Sequence, residues 1–266
     1  MPLLPDPLPH TLPGVVVALH SSGAGGRQWQ AWRAALPAGI ELRAPELLGY
    51  DAAGWGADQR TSLDEEAQRV LASFEDVPGG VHLLGHSYGG AVALQLALRW
   101  PARVRSLTLY EPVRFALLRE HDRPAWREVQ SLGRGVAALV RQSRLEQAGE
   151  TFVDYWTRRG QWAALPPQRR RAVAERMPKV AAEFDALFTD PLVPAALATL
   201  RVPPRLLCGS RSPQPVRTVA ERLAAACPGA ALVRLEGLGH LGPIDEPLRV
   251  AAQLLPQLAR PWPAAA

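Results

Sequence analysis

Residues 81–90 read Val-His-Leu-Leu-Gly-His-Ser-Tyr-Gly-Gly. The first five form an apolar run suited to a buried strand, and residues 89–100 carry the apolar spacing of a helix that Pro101 ends. Gly85-His86-Ser87-Tyr88-Gly89 therefore sets a serine, in the pattern G-x-S-x-G, where a strand turns abruptly into a helix. So sharp a turn needs small neighbours, because side chains at 85 and 89 would collide with the flanking elements, and it holds the hydroxyl out where it can react. The helix amides that begin after Ser87 aim partial positive charge at the same place, which suits an oxyanion forming there.

The same alternation extends in both directions. Residues 14–20 form a continuous apolar run, suited to a strand buried on both faces, that ends in a Gly/Ser loop at 21–26. Trp29 and Trp32, three apart, mark a helix over 27–36, and a short strand follows at 40–44. Ser62, with Glu65 three residues on, reads as the capped start of a helix running to about Phe74. Beyond the serine turn the spacing predicts strands at 104–110, 205–208 and 231–235, a helix at 216–226 and a final helix from Glu246. Strands alternating with helices imply right-handed crossovers and a mostly parallel sheet, an α/β class with its functional loops at the carboxyl ends of the strands. Residues 112–200 break the rhythm, with helical spacing throughout and a concentration of aromatic residues. They read as a helical lid inserted into a core made of residues 1–111 and 201–266.

On these residues the chain resembles the α/β-hydrolases, with 85–90 as the nucleophile elbow, over nearly its whole length. The resemblance implies the chain order nucleophile, acid, histidine. Ser87 is then the nucleophile, and His240, in the loop Gly237-Leu-Gly-His240-Leu-Gly-Pro243, the base. The commoner pattern places an aspartate after the penultimate strand, but that loop reads Gly209-Ser-Arg-Ser-Pro-Gln-Pro215 and holds no carboxylate. Glu111, at the end of the strand following the elbow helix and before Pro112, is the candidate acid, as in some haloalkane dehalogenases of this fold; Asp245 is the alternative. The resemblance also implies an oxyanion hole from the backbone N–H groups of Tyr88 and of Ser22 or a neighbour. His20, His82 and His86 read as structural. Trp29, Trp156 and Trp162 are candidates for lining a substrate pocket, and equally for core.

Composition narrows the function. The chain has 266 residues, 47% of them hydrophobic, enough for a core of one α/β domain. Its net charge of +5 comes almost wholly from arginine, since Lys179 is the single lysine; the arginines are scattered apart from 169–171, so nucleic-acid binding is not expected. No stretch has the length of a membrane span and the start lacks a leader pattern, which predicts a cytoplasmic protein. Two cysteines, Cys208 and Cys227, are too few for a disulfide framework or zinc site; Cys208 reads as a small core residue and Cys227 as lying near the surface. No metal or cofactor motif is present, so none is expected. The expected function is a serine hydrolase that cleaves an ester-type bond of a small apolar substrate through an acyl-enzyme. An acyltransferase or a carbon–carbon hydrolase would use the same parts. A binding protein without turnover is the reading from another class, resting on the missing loop aspartate. Spacing says nothing of oligomeric state.

Overall fold

The computed structural model describes residues 14–52, 54–56, 58–192 and 194–258. The Pro-rich start and the Ala/Pro tail after Pro261, read from sequence as a disordered end, lie outside the described residues. Six strands, β1 (Gly14–Leu19), β2 (Ile40–Arg43), β3 (Val81–His86), β4 (Val104–Tyr110), β5 (Arg205–Gly209) and β6 (Ala231–Leu235), form one sheet. Its order is β2-β1-β3-β4-β5-β6 and every pairing is parallel.

Because side chains alternate along a strand, the sheet buries two apolar faces. Val17, Leu19, Leu83, Leu107 and Leu109 join one core, under α1 (Leu63–Ala72) and α2 (Tyr88–Arg99). Val16, Ala18, Leu84, Tyr110 and Leu207 join the other, against Trp29, Trp32 and Val250. Helix α1 begins as its sequence predicts: Glu65 N–H donates to Ser62 Oγ at 3.2 Å, and Ser62 N–H donates to Glu65 Oε2 at 2.8 Å.

Among the described residues, the segment between β4 and β5 contains helices and no strand, chiefly α3 (Arg123–Arg141), α4 (Leu145–Trp156), α5 (Pro167–Ala174) and α6 (Met177–Thr189). This block shares the first core with the sheet: Phe115, Val129, Val136, Phe184 and Leu187 pack in one cluster with Leu83 and Leu107. Its two ends are tied together. Arg114, where the block leaves β4, pairs with Asp190 at 2.8 Å, both buried. The helix α7 (Gln214–Ala226) follows β5.

Three local expectations are corrected. Residues Gly26–Ala35 form a 3-10 helix, whose three-residue turn brings Trp29 and Trp32 into line on one buried edge with ring centroids 4.9 Å apart. The final helix breaks into Pro247–Ala251 and Leu255–Leu258, because the ring of Pro256 in a continuous helix would strike the carbonyl of Ala252. Cys227 is 2% exposed and belongs to the first core, held by its N–H to the carbonyl of Leu223 at the end of α7.

Candidate active site

Ser87 sits between β3 and α2 with φ 55°, a left-handed conformation that L residues seldom adopt. The turn closes because nothing stands at its glycines. A Cβ at Gly85 would lie 2.6 Å from the carbonyl oxygen of Gly89, and one at Gly89 would lie 2.4 Å from that of Leu19. Ser87 Oγ is 3.0 Å from His240 Nε2. His240 Nδ1 is 2.6 Å from Glu111 Oε2. Glu111, at the carboxyl end of β4, is also held in a left-handed conformation, φ 46°, and its carboxylate is buried. Its Oε1 accepts the N–H of Gly209 at 2.7 Å and the hydroxyl of Ser212 at 2.5 Å, so the loop that lacks an aspartate supplies donors to the glutamate instead. Asp245 is exposed, in the short helix Gly242–Asp245. Partial shielding of its carboxyl from water raises it above the usual range, with Glu246 adding to the rise.

The loop after β1 faces Ser87. Ser21 N–H donates to Gln28 Oε1 at 3.1 Å and Gly23 N–H to Tyr50 Oη at 2.8 Å, so both neighbours of Ser22 have their amides engaged. Ser22 itself lines the cavity beside Ser87. Tyr88 is the first residue of α2, where a backbone N–H has no acceptor within the helix.

Three groups that the sequence reading passed over hold this arrangement. Gln28 accepts from Ser21 and, through Nε2, donates to His86 Nδ1 at 3.1 Å. His86 Nε2–H in turn donates to the carbonyl of His240 at 2.8 Å. Burial pushes the His86 imidazole well below its ordinary range, and His240 nearby adds to that, so it serves as a neutral strut between the two loops. From the helical block, Arg176 donates to the carbonyls of Gly23 at 3.1 Å and of Ala24. The third is Glu183 of α6, which reaches the cavity wall.

The cavity is lined by Ser22, Ser87, Val113, Phe152, Trp156 and Glu183, among others, and its free volume of about 10 Å³ suits a single water. Trp156 stacks on the His240 ring, centroids 4.2 Å apart and planes 27° from parallel. Trp29 and Trp162 are not among its lining residues. Trp29 faces the second core, and Trp162 packs where a Cβ on Gly149 would stand, 2.6 Å from the indole. His20 and His82 are buried, His20 at the loop carbonyl of Ser21 and His82 at the hydroxyl of Ser106, 2.8 Å away. Among the described residues no group of three or more His, Cys, Asp or Glu side chains is placed to hold a metal ion, and no helix is long and apolar enough to cross a membrane.

Comparisons with known proteins agree with this architecture. Residues 16–253 match the Alpha/beta hydrolase family. A pimeloyl-[acyl-carrier protein] methyl ester esterase of Aromatoleum aromaticum is 28% identical over 244 residues, 87% of this chain and 93% of the relative. A 2-hydroxymuconate semialdehyde hydrolase of Pseudomonas is 36% identical over 100 residues, 35% of each chain. The crystal structure of a hydrolase from Pseudomonas aeruginosa superposes with a TM-score of 0.75 at 23% identity, covering 93% of this chain and 91% of that one. The chain belongs to the alpha/beta hydrolase family.

Proposed function

We propose that the protein is a serine hydrolase that cleaves a carboxylic ester through an acyl-enzyme. The observation that carries this reading is the unbroken chain of contacts from Ser87 Oγ to His240 at 3.0 Å and from His240 to Glu111 at 2.6 Å. In the first step Ser87 Oγ attacks the ester carbonyl as its proton passes to His240 Nε2. Glu111, accepting from Nδ1–H, fixes the tautomer that leaves Nε2 free and stabilises the imidazolium; the Trp156 face adds a cation–π contribution. The oxyanion lies between the N–H groups of Tyr88 and Ser22. The tetrahedral intermediate collapses as His240 returns the proton to the departing alkoxide. Water, deprotonated by the same imidazole, then attacks the acyl-serine and releases the acid.

A cavity with room for one water does not admit an ester while the helices stay as they stand. The helical block therefore acts as a cap whose Phe152 and Trp156 move aside for substrate. Carbon–carbon cleavage of a diketone is the second reading, supported by the 2-hydroxymuconate semialdehyde hydrolase. The match to a methyl ester esterase spans 87% of the chain against 35%, and favours the ester.

A fluorophosphonate probe and short p-nitrophenyl esters test the proposal on wild type and Ser87→Ala. Labelling and turnover in wild type, both abolished in Ser87→Ala, are expected. A folded wild-type protein that neither labels nor turns over would favour a ligand-binding role. Gln28→Leu, which cuts the link between the Ser22 loop and His86, is expected to lower kcat on the same esters by roughly 10–100-fold through misplacement of His240 and the oxyanion donors. A rate unchanged in that variant would show that the strut has no catalytic consequence.

A further inference from the structure

Below the cavity lies a sealed polar cluster with one cation and two carboxyl groups. Lys179 Nζ is 2.5 Å from Glu66 Oε1 and 3.7 Å from Glu183 Oε1, with all three side chains buried. Glu66 is well served: it also accepts the N–H of Leu48 at 3.0 Å and the hydroxyl of Tyr88 at 3.4 Å. Glu183 is not. Its Oε1 accepts the Tyr50 hydroxyl at 2.9 Å, whereas Oε2 is buried and makes no well-formed hydrogen bond among the described residues, although the Ser22 hydroxyl also faces the carboxyl. The residue is 1% exposed and lines the cavity with Ser22 and Ser87, among the apolar side chains of Val113, Phe152, Trp156, Phe184 and Leu187.

A buried carboxyl oxygen without a well-formed hydrogen bond is costly, and an apolar pocket with one such oxygen is suited to reading a single polar group. We propose that Glu183 Oε2 is the specificity determinant of this site, and that the preferred ester carries a hydrogen-bond donor, a hydroxyl or an ammonium, within a few atoms of the scissile carbonyl. The proposal rests on the hydrolase reading above. The Tyr50 bridge supports it, because Tyr50 links Glu183 to the amide of Gly23 and so fixes the carboxyl relative to the Ser22 loop. Substrate recognition and oxyanion geometry then share one rigid frame. Burial holds the Glu183 carboxyl above its ordinary range, with Lys179 and the facing Ser22 hydroxyl pulling the other way, so an ammonium on the substrate would favour the ionised form.

The experiment compares kcat/KM by pH-stat for methyl butyrate, methyl 2- and 3-hydroxybutyrate and methyl 3-aminobutyrate, with wild type, Glu183→Gln and Glu183→Leu, each checked by thermal melting. Wild type is expected to prefer one of the donor-bearing esters over methyl butyrate by roughly 10–100-fold. In Glu183→Leu that ratio should fall to one or below. Glu183→Gln should keep a hydroxyl preference, since an amide oxygen still accepts, and lose an ammonium preference, which distinguishes the two donors. Equal rates on all four esters in wild type, or a preference that survives Glu183→Leu, would overturn the inference while leaving the hydrolase reading intact. Absence of turnover and of fluorophosphonate labelling in wild type would overturn both. If Glu183→Leu fails to fold, Glu183→Met, close to glutamine in shape but without its oxygen acceptor, takes its place, and a donor preference that survives in it overturns the inference.

Discussion

Glu111→Gln is expected to lower kcat by roughly 10²–10⁴-fold with the fold intact, the range associated with loss of a triad acid. The amide keeps the shape of the side chain, and its oxygen can still take the Gly209 N–H and Ser212 hydroxyl that the carboxylate takes now. What it cannot do is balance a positive imidazole. If its NH₂ turns toward His240 Nδ1, it also selects the tautomer that carries its proton on Nε2 and cannot accept one from Ser87. Asp245→Asn, at an exposed position, is expected to leave kcat within about twofold. Steady-state kinetics on a p-nitrophenyl ester together with thermal melts would check the pair. A large loss in Asp245→Asn with none in Glu111→Gln would reverse the assignment of the acid.

Lys179→Met should have the largest effect on stability. It removes the one cation from a sealed cluster and leaves the Glu66 and Glu183 carboxyls facing each other without compensation. Stranding a buried charge in this way costs about 3–5 kcal/mol, or roughly 6–20 °C of melting temperature at this size. The loss should depend on pH in a stated direction. Glu183 is already held above its unfolded value by burial, and without the ammonium it rises further. A carboxyl with a raised folded pKa favours the native state at low pH, where it is protonated in both states, and penalises it as pH climbs through the folded value. The melting temperature of the variant should therefore fall from pH 5.5 to pH 8 more steeply than that of wild type. Parallel profiles for the two proteins would show that the carboxyls do not depend on Lys179.

How much of this was legible depends on whether a feature is local. The serine turn could be read because a strand, two glycines and a helix are consecutive in the chain, and β1 to β6 because each is a short apolar run between turn residues. His240 stood out through its glycine-rich loop. Glu111 and His240 meet in space although 129 positions separate them. Their meeting was foreseeable because the resemblance to the α/β-hydrolases orders nucleophile, acid and histidine, and because the carboxyl ends of parallel strands share one edge. Glu183 had no such signal. On α6 it looks like any solvated charge, as its neighbour Asp185 is, and its buried partner Tyr50 lies 133 positions away. Gln28 was hidden for the same reason. Trp29 and Trp162 show the converse limit: periodicity marks a tryptophan as inward-facing, but which of several interiors it enters is decided by the packing of whole elements.

The solitary lysine also gives the molecule a built-in reporter. Its ε-amino group is the only side-chain amine in the chain, and it lies wholly out of reach of water between the helical block and helices α1 and α2. An acylating reagent added to the native enzyme can modify that amine only during excursions that part these layers. The appearance of one added mass on the peptide containing Lys179 would therefore time those excursions directly. Comparing that rate with kcat would tell whether turnover proceeds through shallow rearrangement of Phe152 and Trp156 or through deep separation of the block.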